Sequence, residues 1–191
     1  MLEYLILYFI IAIALRNKHI KLAIFSEIIL LIVVLQSCDI SWVQVDPSLF
    51  CMRVVIGYLL SLIVLYITYI SVFWIKPKVK RNMCITMESV LSVVIEEIVW
   101  RFCFLSILES MKSSFICSIL LATLENFLFI FSHFQVNRTN IKDGIEMFLY
   151  SCILLIFGKL FWGINIGLHL GRNVLCKEEE KNERTSITNI K

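Results

Sequence analysis

The sequence predicts an all-α, polytopic transmembrane helical bundle of about seven helices. Three observations predict it. Hydrophobic residues make up 59% of the 191, where soluble domains sit nearer to half. The excess falls in long apolar blocks parted by short polar breaks, and a bilayer core needs roughly 20 apolar helical residues per crossing. Lys and Arg then gather in every second break, the asymmetry that orients membrane helices. Only helices and closed barrels satisfy their backbone polar groups in lipid, and the strict alternation of a barrel strand is absent from this sequence. No polar face repeats along the blocks, which argues against soluble amphipathic helices.

The first helix spans residues 2–15. It lacks a basic leader and a small-residue cleavage site, so it reads as a retained span. Arg16, Lys18 and Lys21 follow it. The second helix covers 22–36 and opens into a loop, 37–49, that holds Asp39 and Asp46 and no base. The third runs over 50–75 and ends in Lys76, Lys78, Lys80 and Arg81. The fourth, 85–108, leads to a break with the single base Lys112. The fifth, 113–132, is followed by Arg138 and Lys142. The sixth covers 145–157, and Gly158 and Lys159 form the break before the seventh, 161–176. One broken hairpin is the alternative reading of those last two. The basic loops are the odd ones, so they face the cytoplasm. The N-terminus is then expected outside and the C-terminus inside.

Residues 1–176 form one membrane-embedded domain, with a motif-bearing core over about 85–176. The tail 177–191, KEEEKNERTSITNIK, is low in apolar residues and is expected to be disordered. Seven cysteines (Cys38, Cys51, Cys84, Cys103, Cys117, Cys152, Cys176) form no CxxC pair, so they read as free thiols acting as small hydrophobes. The expected surroundings are the lipid bilayer, with no nucleic-acid partner.

The functional signal lies in charges placed at membrane depth. Each costs roughly 2.5–3.5 kcal/mol on insertion scales, so such residues are usually paired or functional. The stretch SVVIEEIVWRF, residues 92–102, carries Glu96, Glu97 and Arg101. Glu97 and Arg101 stand four apart with the acid first, the favourable order for a helical ion pair. Glu96 lies about 100° around the helix from Glu97 and needs another partner. The fifth helix ends in ENFLFIFSH, with Glu125, Asn126, Phe129 and His133. The seventh holds GLHLGRN, with His169, Arg172 and Asn173. A carboxylate beside imidazoles is a general-base arrangement. Taken singly, either histidine reads as well as a hydrogen-bonding group between helices. On straight helices Glu96, His133 and His169 lie at different depths, so a shared site requires tilt or a cavity opening from the cytoplasmic side.

The EExxxR of Glu96, Glu97 and Arg101, the FxxxH of Phe129 and His133, and the HxxxN of His169 and Asn173 occur in that order on three separate apolar helices. This resembles the CAAX protease and bacteriocin-processing family, also called the Abi family. Its members are integral-membrane endopeptidases related to the type II CAAX prenyl protease. The likeness covers about residues 88–175 and includes the approach GKLFWGINIGLHLGRN. It implies Glu96 as general base on the attacking water and His133 as the group that helps to hold that water. It implies His169 and Asn173 as oxyanion stabilisers, Glu97 and Arg101 as support, and Phe129 as cavity wall. A Glu with two His can also hold zinc, through Glu96, His133 and His169. No HExxH is present, so the expectation is a metal-free glutamate mechanism with zinc as the alternative.

The implied activity is hydrolysis of a peptide bond in a membrane-associated peptide or protein. In a bacterial plasma membrane this means bacteriocin or pheromone processing or self-immunity. The competing reading is a non-catalytic immunity or assembly protein that keeps the motifs for packing. A transporter is a weaker third: buried charges also mark ion paths, but no inverted repeat or paired broken helices appear. Glu125 has no role in the family pattern and reads as a helix-pairing group.

Overall fold

The computed structural model describes residues 2–43, 46–73, 85–112, 114–133 and 141–175. The basic loop 76–81, Arg138, the tail 177–191, Cys84 and Cys176 lie outside these residues. Among the described residues the chain is helical and has no strand. The α-helices are α1 (Leu2–Arg16), α2 (Ile20–Ser37), α3 (Pro47–Phe73), α4 (Met87–Glu97), α5 (Phe104–Ser110), α6 (Phe115–His133), α7 (Ile141–Leu160) and α8 (Ile164–Leu175). A π-helical turn, Ile98–Cys103, joins α4 to α5 without leaving helical backbone. These three form the fourth of seven rods, in line with the expected number.

Helix starts follow from local chemistry. Asp46 caps α3, its carboxylate accepting from the Ser48 and Leu49 N–H groups at 2.8 and 3.1 Å. Pro47 at the first helical position gives up an N–H that would have no partner there. The Ser48 hydroxyl and these amides hold the Asp46 carboxyl below its usual range. Thr86 caps α4 by accepting from the Ser89 N–H at 3.2 Å. The sixth rod starts at Ile141, four residues before the sequence expectation, because the polar turn IKDG joins the helix. The break before α8 moves to 161–163 and closes on Gly163, whose φ of 109° suits glycine. The last two rods are two helices joined by that short turn.

Among the described residues, three helices are long and apolar enough to cross a membrane: Ile20–Ser37, Pro47–Thr68 and Phe115–His133. Their outward faces are apolar, with Leu22, Ile28, Leu59, Ile67, Ile116 and Phe127 among the exposed side chains. In water such an area would be a liability; against lipid it is the solvent-facing surface. Five cysteines, Cys38, Cys51, Cys103, Cys117 and Cys152, are free thiols.

The most extensive contact between helices is that of α3 with α8. Lipid supplies no hydrophobic drive between helices, so close backbone approach through small residues has to hold them. Gly57 sits on the Ile164 carbonyl, Gly167 on Val54 and Tyr58, and Gly171 on Ser61. The main core gathers Tyr8, Trp100, Phe102, Phe104, Phe129, Trp162 and their neighbours from α1, the fourth rod, α6 and α8. That core surrounds the π turn.

The glycine contacts are testable. A Cβ on Gly167 would stand inside contact distance of the Val54 carbonyl and 2.6 Å from the Tyr58 nitrogen, both backbone atoms that cannot turn aside. Gly167→Ala is expected to lose the folded, monodisperse state in detergent. Gly158→Ala, whose Cβ would meet only side-chain atoms at 3.5 Å, should keep its melting temperature or raise it slightly. Gel filtration and a melting curve of both variants check this.

Candidate active site

Glu96 and Glu97 end α4, His133 ends α6, and His169 and Asn173 lie one turn apart on α8. The tight α3–α8 contact fixes the depth of His169, and α8 starts only five residues before it. His133 reaches Glu96 from the last turn of α6. The depth mismatch of straight helices is thereby removed. Glu96, Phe129, His133, His169 and Asn173 all line one cavity of about 90 Å³, together with Met147, Tyr150, Ser151, Leu154 and Arg172. That volume holds a water and a few further atoms.

The Glu96 carboxylate is the centre. Its Oε2 lies 3.4 Å from His133 Nε2 and 3.5 Å from His169 Nε2. Its Oε1 accepts from the Ser92 hydroxyl at 3.0 Å. Burial is graded: the Glu96 and His133 side chains keep 24% and 31% of their exposure, while His169 and Glu97 keep 5% and 1%. The cavity therefore reaches the surface on the Glu96–His133 side and is sealed behind His169.

Both imidazoles are oriented from behind. His133 Nδ1 faces the Phe129 carbonyl at 2.8 Å and the Ser132 hydroxyl at 2.8 Å. His169 Nδ1 faces Glu97 Oε1 at 2.7 Å. A carbonyl and a carboxylate only accept, so each Nδ1 carries a proton and each Nε2 points at Glu96. The Phe129 ring packs against both, with centroids 4.4 Å from His133 and 6.2 Å from His169.

The expected pair of Glu97 with Arg101 does not form. Glu97 instead bonds His169 and accepts from the Asn165 amide at 2.6 Å. Arg101 pairs with Glu125 Oε1 at 2.7 Å and donates to the Ser151 hydroxyl at 2.7 Å. Arg101 lies inside the π turn that follows Glu97, and both side chains take partners on neighbouring helices instead of each other. Glu125, Asn126 and Ser151 form the buried bed of Arg101, with Ser151 donating to Asn126. Arg101 also lies over the Phe129 ring, 4.5 Å from its centroid.

Three features escaped the sequence reading. Asn165 links the α7–α8 turn to Glu97, accepting from the Gly163 N–H at 3.0 Å. Ser151 on α7 had no motif around it. Glu146 on α7 holds Arg172 through two hydrogen bonds, of 3.1 and 2.5 Å, at the cavity wall. The signal for the first was the polar Asn inside an apolar helix start. Among the described residues no group of three His, Cys, Asp or Glu side chains is placed to hold a metal ion.

A family model described as type II CAAX prenyl endopeptidase Rce1-like matches residues 81–175. That stretch contains Glu96, Glu97, Arg101, Phe129, His133, Asn165, His169 and Asn173. No curated protein and no solved structure matches the chain.

Breaking the Arg101 bed should be costly. Removing one partner of a buried ion pair typically costs about 3–5 kcal/mol, because the other charge stays buried. Glu125→Gln is expected to fall in that range, measured as a shift in denaturant or thermal unfolding in detergent. Ser151→Ala should cost less, about 1–3 kcal/mol for an unmade buried hydrogen bond.

Proposed function

The chain belongs, through residues 81–175, to the type II CAAX prenyl endopeptidase Rce1-like family, and we propose from the geometry of its cavity that it is a glutamate-type intramembrane endopeptidase. The observation that carries this reading is the half-open Glu96 carboxylate facing the Nε2 atoms of two imidazoles, each oriented by an acceptor behind it.

In this reading a water lies between Glu96 and His133. Glu96 takes its proton as the oxygen attacks the substrate carbonyl carbon. The carbonyl π pair moves to oxygen, and the Nε2–H of His169 and the side-chain amide of Asn173 bind that oxyanion. Collapse restores the carbonyl and expels the amine, which receives the proton held by Glu96. His169 gives its Nδ1–H to Glu97, so an Nε2–H at the same time makes it an imidazolium. The sealed Glu97 carboxylate supplies the counter-charge. Phe129 shapes the wall, and Arg101 fixes the helix that carries both acids.

The reaction proposed needs no metal. Glu96, His133 and His169 are the residues that would hold zinc in the alternative reading. The substrate class is a peptide or protein at the membrane. Arg16, Lys18, Lys21, the basic loop 76–81 and Arg138 support an N-terminus outside and basic loops in the cytoplasm. His133, at the end of α6 just before Arg138, then puts the cavity mouth on the cytoplasmic side. In a bacterial plasma membrane, the fitting substrates are a bacteriocin leader, a pheromone precursor or a self-immunity target.

The test is Glu96→Gln in the purified protein with a membrane peptide carrying a reporter. General bases typically contribute 10²–10⁴-fold, so cleavage should fall by about that factor while the fold is kept. Asn173→Ala should lower kcat by about 10²–10³-fold, as loss of one oxyanion donor does. Wild-type cleavage should persist in a strong chelator. Cleavage, or an immunity phenotype, that survives Glu96→Gln would return the chain to a non-catalytic membrane protein.

A further inference from the structure

One hydrogen bond ties α1 to the backbone directly behind the two glutamates. The Tyr8 hydroxyl donates to the Val99 carbonyl at 2.7 Å, across 91 residues of sequence and fully inside the protein. Val99 is the second residue of the π turn. At the end of that turn the Phe104 N–H bonds the Arg101 carbonyl. Tyr8 is 2% exposed. Its ring packs on Trp100, with centroids 5.5 Å apart, and edge-on to Phe104 at 6.4 Å. Trp100 in turn meets Phe129 at 5.6 Å, the ring that flanks both histidines.

Glu97 stands immediately before the π turn, and the backbone of that turn sets where its carboxylate meets His169 and Asn165. π turns are rare and occur mostly as single turns inside α-helices, frequently at functional sites. In this chain a hydroxyl from α1 bonds the backbone of the turn itself, inside a core of apolar and aromatic side chains.

We propose that Tyr8 is a positioning residue of this site: its hydroxyl, donating to the Val99 carbonyl, holds the π turn that follows Glu97 and so keeps Glu97 on His169. This gives α1, which lies outside the matched residues 81–175, a part in the site. The effect on rate rests on the hydrolase reading. The effect on His169 does not.

Tyr8→Phe removes one oxygen and keeps the ring. The chain has three histidines, so ring-¹⁵N NMR of histidine-labelled protein in detergent resolves each, with assignments from single histidine variants. In wild type, His169 should show a protonated, strongly hydrogen-bonded Nδ1. Tyr8→Phe should weaken or remove that signal and leave His19 unchanged. With a cleavable peptide, kcat should fall by about 10- to 100-fold, the scale of a sub-ångström to 1 Å misplacement, while KM stays constant. p-Aminophenylalanine at position 8 restores an N–H donor and should restore both readouts.

Tyr8→Phe with wild-type His169 signals overturns the proposal, whatever happens to the rate. So does p-aminophenylalanine that behaves like phenylalanine. If Tyr8→Phe does not fold, a folded p-aminophenylalanine protein with wild-type His169 signals supports the donor role. Failure of both to fold assigns Tyr8 to packing and overturns it. If wild type cleaves nothing, the hydrolase reading fails and the NMR comparison still decides this one.

Discussion

The structure depends on one buried carboxylate. Glu97 is sealed inside the bundle and satisfies both of its oxygens on α8, one through His169 Nδ1 and the other through Asn165. A buried charge is tolerated only when paired and hydrogen-bonded. The demand works in both directions here. Glu97 needs α8 within 3 Å, and α8 can come that close because its glycines lie on α3. The α3–α8 contact, the turn at Gly163 and the direction of the His169 ring are all consistent with the position of that carboxylate. Moving any of them would strand a charge.

A second buried charge, Arg101, is handled the same way by different helices. Glu125 from α6 and Ser151 from α7 receive its guanidinium, and Asn126 completes the set. The fourth rod is therefore pinned on two sides, by Glu97 to α8 and by Arg101 to α6 and α7. One rod thus addresses three neighbours with motif residues four apart, each charge meeting partners on other helices rather than its own.

Much of this was legible in the sequence, and the limits have physical causes. The helices were, because apolar block length and loop charge are read along one dimension. The convergence of Glu96, His133, His169 and Asn173 was anticipated from three motifs in order, and they do line one cavity. The partner of Glu97 was not. The rule that pairs i with i+4 reads one helix at a time, and both charges found their partners on other helices. Glu125 was correctly seen as a polar group between helices, but its partner came from tertiary contact. Asn165 and Ser151 carried only the weak signal of a polar residue among apolar ones. The glycines of α8 repeat every four residues, a pattern with a known packing meaning, yet its target on α3 needs the fold.

Two adjacent glutamates thus end in opposite situations, and burial explains the difference. They differ by about 100° around the helix. That rotation turns one toward α8 and the core and the other toward the mouth of the cavity. Glu97 has both oxygens committed and is sealed from solvent, an arrangement suited to orienting a histidine and balancing its charge. Glu96 bonds only Ser92 closely, keeps about a quarter of its exposure and faces two imidazole nitrogens at 3.4 and 3.5 Å. Those distances are loose enough to admit rearrangement around a reacting group and close enough to hold one. In the proposed mechanism the acid that exchanges protons has to be reachable, and the acid that holds a histidine still has to be sealed. The helix meets both demands by placing the two side by side in sequence.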